Sequence, residues 1–223
     1  MIGMSGQVDL EFADVASLPQ VKALQEVSRL FYDRGWALGT SGNFSVVLSR
    51  NPFRLLITAS GRDKRQMEGS DFLVIDASGS LVMESNRKPS AEAALHLVLA
   101  GQPGAGAVLH THSVWATLLS DLFFSGGGFA VAGYEMLKGL TGIRTHEHEL
   151  WVRIFDNTQD MPGLSGHVEA CLNLPDNPLR HGFLIRRHGL YTWGADLDEA
   201  RRHVEIFEFL FEVIGRRMQL AQR

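Results

Sequence analysis

FSVVLSRNPFRLLITASGRDKRQMEGSDFLVIDASGSLVM, residues 44–83, sets short apolar, β-branched runs between turn residues. The runs 44–48, 54–58, 72–75 and 81–83 have strand length. Asn51-Pro52, Ser60-Gly61 and Ser78-Gly79 punctuate them. The block therefore predicts a strand-rich start.

Helical patterns flank this block. Upstream, Pro19 suits a first helical turn, where its missing N–H costs nothing. Val21, Leu24, Val27, Leu30 and Phe31 follow at helical spacing, and Gly35 marks the end. Residues 1–17 are expected to be a loose arm, and 18–223 a single domain. Downstream, Ser90 is expected to cap a helix over 91–99. A buried strand is expected at 107–110, and Ser113 caps a second helix to about 119. Residues 125–128, Ser-Gly-Gly-Gly, read as a mobile loop. A strand at 151–155 and a helix at 168–172 come next. The runs 183–187 and 190–193 flank a turn at His188-Gly189. A long helix spans 196–218, with Leu197, Ala200, Val204, Phe207, Phe211, Ile214 and Met218 on one stripe. Phe209, Leu210 and Val213 lie off that stripe, which predicts a second apolar face against another subunit. Helices interspersed with a strand-rich start predict an α/β fold, a three-layer α/β/α sandwich around a largely antiparallel sheet.

Composition narrows the function. The 223 residues are 45% hydrophobic and 21% charged, with net charge −4. Neither that charge nor any basic stripe suits nucleic acid. No apolar run reaches the roughly 18 residues of a membrane span. The first twelve residues lack a basic start followed by an apolar run, so no signal peptide is expected. One cysteine, Cys171, allows no intrachain disulfide, which fits a cytoplasmic location.

His110-Thr111-His112 ends the apolar run Ala-Val-Leu. On a strand, positions i and i+2 share a face, so two imidazoles can meet one ion. A catalytic zinc needs a third protein ligand, and His188, at the end of another strand-like run, is the candidate. His146-Glu147-His148-Glu149 is a rival H-x-H, but it has polar surroundings and reads as surface structure. His96 reads as a satisfied core histidine. His167, His181 and His203 show no partner in the sequence and read as structural. Glu92, in the first turn after Ser90, and Glu135, after the glycine loop, are the candidate proton carriers beside a metal. The clusters at 39–43, 58–61 and 88–90 offer hydroxyls and backbone N–H groups, the chemistry of an anion nest. Arg62, Lys64, Arg65, Arg87 and Lys88 adjoin them, so phosphate is the natural anion. The P-loop pattern is absent.

In order, G-T-S-G-N-F-S, T-A-S-G-R-D-K, K-P-S-A-E-A-A-L-H, A-V-L-H-T-H-S and R-R-H-G-L-Y-T-W-G resemble the class II aldolase/adducin family from about residue 18 to 218. The resemblance implies zinc, one per subunit, on His110, His112 and His188. It implies an acid/base role for Glu92, in the P-S-x-E motif, and phosphate contacts at Gly42, Asn43, Ser60, Gly61 and Ser90. It also implies a homotetramer with sites near subunit interfaces. Y-E-M-L-K-G at 134–139 and F-D-N-T-Q-D at 155–160 are most similar to a sugar-phosphate dehydratase branch, where the residue matching Glu135 is the acid/base group. That role requires a carboxyl raised above its ordinary value of about 4.3. Some members of that branch lack an acid where Glu92 stands, so the division of labour between the two glutamates stays open. A class II sugar-phosphate aldolase, a pentulose-phosphate 4-epimerase and a non-enzymatic adducin-like binding domain are the alternatives.

Overall fold

The computed structural model describes residues 15–221. Most of the expected arm, 1–14, lies outside the described residues. Its end is not loose: Val15–Ser17 forms a 3-10 turn, and Val15 is buried beside Leu18.

Eight strands among the described residues form one sheet. They are β1 (Asn43–Arg50), β2 (Phe53–Thr58), β3 (Phe72–Ile75), β4 (Ala107–Thr111), β5 (Gly128–Val131), β6 (Leu150–Phe155), β7 (Gly182–Ile185) and β8 (Gly189–Gly194). The order is β3-β2-β1-β4-β8-β7-β6-β5, and only β6 and β7 pair parallel. Five α-helices among the described residues cover it: α1 (Pro19–Asp33), α2 (Ala93–Ala100), α3 (Val114–Leu122), α4 (Met161–Leu172) and α5 (Leu197–Ala221). Alternation along the strands feeds two layers of core. Leu55 and Ile57 of β2, Val108 of β4 and Tyr191 of β8 join α2 and α4 on one face. Leu56, Ala107 and Leu109 point the other way, to α1 and the start of α5. Leu190 joins α3 and the rest of α5 on that second side. Both faces are therefore covered, as a three-layer sandwich requires.

Four local expectations need correction. Residues 81–83 make one bridge, Leu81 to Ile75, and no strand. They follow β3 at the sheet's outer edge, and Val82 and Met83 pack onto the core instead of continuing the ladder. Residues 125–128 are not a free loop: Phe124–Gly126 is a 3-10 turn, and Gly128 already begins β5. A Cβ there would run into the Val152 carbonyl, so the glycine is needed for strand pairing. Ser90 does not cap α2. Glu92 takes the N-cap position, and the Ser90 hydroxyl accepts from the Glu92 N–H. Leu210 is fully buried, because α5 packs on α3 as well as on the sheet. Only Phe209 is left plainly exposed on the second face, with Val213 half-buried.

One buried acid on α5 touches the metal-type motif from behind. Thr111 points away from His110 and His112, and its hydroxyl donates to Glu208 at 3.1 Å. Burial pushes the Glu208 carboxyl up to about 7, against the hydrogen bonds from Ser113 and Thr111. A raised folded-state value means the native protein holds this proton more tightly. The contribution to stability is therefore complete below about 4.5 and is lost as pH rises through about 7. Urea unfolding of wild type against Glu208→Gln should show wild type losing on the order of 2–3 kcal/mol relative to the variant between pH 4.5 and 8. Parallel pH curves for the two proteins would refute it.

Candidate metal centre

β4 delivers His110 and His112 to one face, as the period of 2 requires. The His112 N–H donates to the Trp36 carbonyl at 2.7 Å, which fixes the chain just past the strand. β8 pairs with β4 in the register Thr111–Leu190 and His110–Tyr191. That register sets the β7–β8 turn beside the two histidines and brings in His188. The preceding residue, Arg187, has φ 52°, a left-handed conformation rare outside glycine, and its N–H donates to Ser120 Oγ at 2.9 Å. Gly42, φ 75°, lies where a Cβ would meet the His110 carbonyl at 2.7 Å, so the 39–43 loop passes the site only as glycine.

The Nε2 atoms of His112 and His188 lie 2.8 and 3.3 Å from Nε2 of His110. Glu92 Oε1 lies 3.1 Å from His188 Nε2 and 3.5 Å from His110 Nε2. One donor atom from each of the four residues falls within 4.8 Å of the others. His110 Nδ1–H donates to the Leu190 carbonyl at 2.9 Å, which leaves a lone pair on Nε2 facing the cluster. Burial lowers His110, and burial followed by the neighbouring histidines pushes His112 down to about 2. Neutral imidazoles with converging lone pairs suit a cation. Two nitrogens each about 2.0–2.1 Å from one tetrahedral ion would themselves sit roughly 3.3 Å apart. The cluster is compatible with a divalent metal.

Glu92 turns its Oε1 to the histidines. Asn43 Nδ2 donates to its other oxygen at 2.6 Å. Behind His110 the Tyr191 ring lies flat, with centroids 3.9 Å apart and planes 12° apart. Burial, then Glu92, pushes the Tyr191 phenol well above its ordinary value.

The other anticipated residues divide. Ser60 and Gly61 are exposed and Ser90 is half-buried. Ser60 N–H donates to the Lys88 carbonyl at 3.0 Å, and Ala59 bridges Pro89, so the 58–61 and 88–90 loops adjoin. Asn43 is 5% exposed, with its amide committed inward to Glu92 and His96. Glu135, in the 3-10 helix Glu135–Gly139, is 69% exposed; it pairs with Lys138 and lies 3.5 Å from His146. It is not a member of the cluster. Lys138 holds its carboxyl below the ordinary value, opposite to the expected rise. The reason is local: an ammonium three residues on, in solvent, favours the charged form. His146 thus stays outside the four-residue cluster. His181 and His203 are structural but not partnerless. They meet edge to face, His181 Nε2 bonds the Thr141 carbonyl, and His203 Nδ1 bonds the Trp193 carbonyl.

Sequence reasoning passed over Lys64 as a buried group. It is 1% exposed, its ammonium donates to the carbonyls of Arg62 and Thr40, and burial brings it down to about 8. Asp71, equally buried, pairs with Arg62 at 2.6 Å and Arg87 at 2.5 Å. These ion pairs lash the 60s loop to the 87–90 loop. The only sequence signal was the basic cluster after T-A-S-G.

Residues 22–214 match the family described as Class II Aldolase and Adducin N-terminal domain. The chain belongs to the class II aldolase/adducin family. Its relatives include a methylthioribulose-1-phosphate dehydratase from Marinobacter nauticus, 44% identical over 86% of this chain and 90% of that protein. A protein of the same name from Pseudomonas paraeruginosa is 48% identical over 84% of this chain and 89% of its own length. Among solved structures, an L-fuculose 1-phosphate aldolase superposes with a TM-score of 0.74 at 22% identity, covering 93% of this chain and 91% of that one. That likeness bears on the fold.

Proposed function

We propose that this chain is a hydro-lyase that converts 5-methylthioribulose 1-phosphate to 2,3-diketo-5-methylthiopentyl 1-phosphate, a step of methionine salvage. The observation that carries this reading is the convergence of His110, His112, His188 and Glu92 in a chain 44–48% identical to proteins named for that dehydration. The working unit is one domain, 18–223, in a cytoplasmic homotetramer with one zinc ion per subunit on the three histidines. No helix among the described residues is long and apolar enough to cross a membrane. Sedimentation at micromolar protein should find the tetramer; a monomer would refute that part.

A zinc ion held by His110, His112 and His188 would supply Lewis acidity to the substrate's oxygens. Glu92, held by Asn43, takes the C3 proton. Glu135 protonates the C4 hydroxyl as it leaves as water, and the resulting enol relaxes to the second ketone. In one chain Glu135 stands in solvent, so its part depends on burial against another protomer, which would raise its carboxyl. Gly42, Ser60, Gly61 and Ser90 bound the phosphate end, with Lys64 as the nearby fixed charge, while the Asn43 side chain serves Glu92.

Product analysis tests the reaction. The diketone should form with its carbon chain and phosphate intact. Carbon–carbon cleavage would make the enzyme an aldolase, and C4 epimers without loss of water an epimerase. A protein holding no stoichiometric metal and turning over nothing would be a binding domain. The phosphate loops carry their own expectation. Losing two or more charge-assisted hydrogen bonds should cost the dephosphorylated ketose about 100-fold or more in kcat/KM. Equal efficiency for the two substrates would remove the anion site.

A further inference from the structure

Two sequence spacings meet beneath Glu92. Glu92 and His96 are four residues apart at the start of α2, so they share a helical face. Asn43 and Ser45 are two apart on β1, so they share a strand face. Where the faces touch, four polar groups connect in sequence. Ser45 Oγ lies 2.7 Å from His96 Nδ1, His96 Nε2 lies 2.5 Å from Asn43 Oδ1, and Asn43 Nδ2 lies 2.6 Å from Glu92 Oε2. Ser45 and His96 are fully buried and Asn43 nearly so.

The direction of this chain is fixed by what each atom can do. A carboxylate oxygen only accepts, so the Asn43 amide nitrogen must face Glu92. The Asn43 carbonyl oxygen then faces His96 and can only accept, so Nε2 carries the imidazole proton. Burial keeps His96 neutral, pushing it down to about 3. Its Nδ1 is therefore bare and accepts a hydrogen bond from the Ser45 hydroxyl. A serine, a histidine and an asparagine inside a core are costly compared with aliphatic residues unless every bond is made. Here each of the linked polar atoms has a partner, and the end that opens on the site is Glu92.

We propose that Ser45, His96 and Asn43 form a hydrogen-bond relay of fixed polarity that orients the Glu92 carboxylate for proton transfer, making His96 a positioning residue of the site. The inference deepens the dehydratase reading, since it takes Glu92 as the proton carrier. His96 also meets the edge of Tyr191, the ring stacked on His110, so it backs both the carboxylate and a metal-binding imidazole.

The test has two arms. In protein labelled with 15N-histidine, metal-free, His96 should show Nε2 protonated and Nδ1 bare. The opposite tautomer, or an imidazolium, would overturn the relay whatever reaction the enzyme performs. In the second arm, Ser45→Ala should lower kcat about tenfold, and His96→Gln and Asn43→Asp about 100-fold or more, with KM within threefold and metal content unchanged. Asn43→Asp sets a carboxylate against Glu92 with almost no change in shape. A purely structural network would lower Tm and leave kcat per folded, metal-loaded enzyme at the wild-type value. That result in Ser45→Ala and Asn43→Asp would overturn the proposal even if His96→Gln fails to fold. Loss of every activity in wild type, with the predicted tautomer intact, would instead count against the dehydratase reading alone.

Discussion

His110→Ala should lose its divalent metal and with it turnover by about 10³–10⁴-fold, while the fold persists. The ion's Lewis acidity is worth several kcal/mol to the reaction, and each 1.36 kcal/mol is a factor of ten. His110 is the centre of the cluster: its Nε2 is the atom that His112, His188 and Glu92 all approach. Removing it leaves two imidazoles, one short of the three histidine ligands. Its ring also fills space against Tyr191, so some loss of stability accompanies the change, and a circular-dichroism melt separates that loss from metal loss. His146→Ala is the control. It removes a half-exposed imidazole outside the cluster and should leave metal content at one per chain. Elemental analysis of both purified variants decides. Full metal in His110→Ala together with loss in His146→Ala would move the site to the rival pair.

The contrast between those two H-x-H motifs shows what the chain made legible before any coordinates. His110-Thr111-His112 ends an apolar strand, and the period of 2 alone sets both rings on one side. His146-Glu147-His148 has no such strand before it, and the turn it occupies leaves His146 in solvent. The three-layer architecture was equally legible, because runs such as 54–58 are buried on both faces and helical stripes recur between them. Where the reading failed, it failed on partners that only tertiary structure supplies. Nothing local marks Lys64 as buried or Tyr191 as stacked on a histidine. Thr111 reads as a spacer until α5 brings Glu208 behind it. The family resemblance implies a phosphate contact at Asn43, yet a helix fifty residues on claims both ends of its amide. His96 did read as a satisfied core histidine; that its partner is the asparagine on Glu92 is a long-range fact.

The two glutamates give the other large effect. Glu92→Gln should retain metal and fold but lose about 10³-fold or more in kcat, within the reach of a single general acid–base group. The geometry argues for its primacy in one protomer. Its carboxylate is 3.1 Å from His188 and is tethered by Asn43, so it is placed as a base. Glutamine keeps the shape and an acceptor for Asn43 but cannot take a proton. Glu135→Gln separates the second role. If Glu135 delivers the proton to the leaving hydroxyl, this variant should also keep its metal, lose about 100-fold in kcat, and still exchange the C3 proton of substrate with deuterated solvent. Glu92→Gln should abolish that exchange, because no carboxylate remains within the histidine cluster to start it. Measuring exchange and water loss side by side therefore assigns each acid to a step. Exchange lost in Glu135→Gln and kept in Glu92→Gln would reverse the roles. A fully active Glu135→Gln would leave both steps to Glu92 and dispense with any contribution from a second protomer.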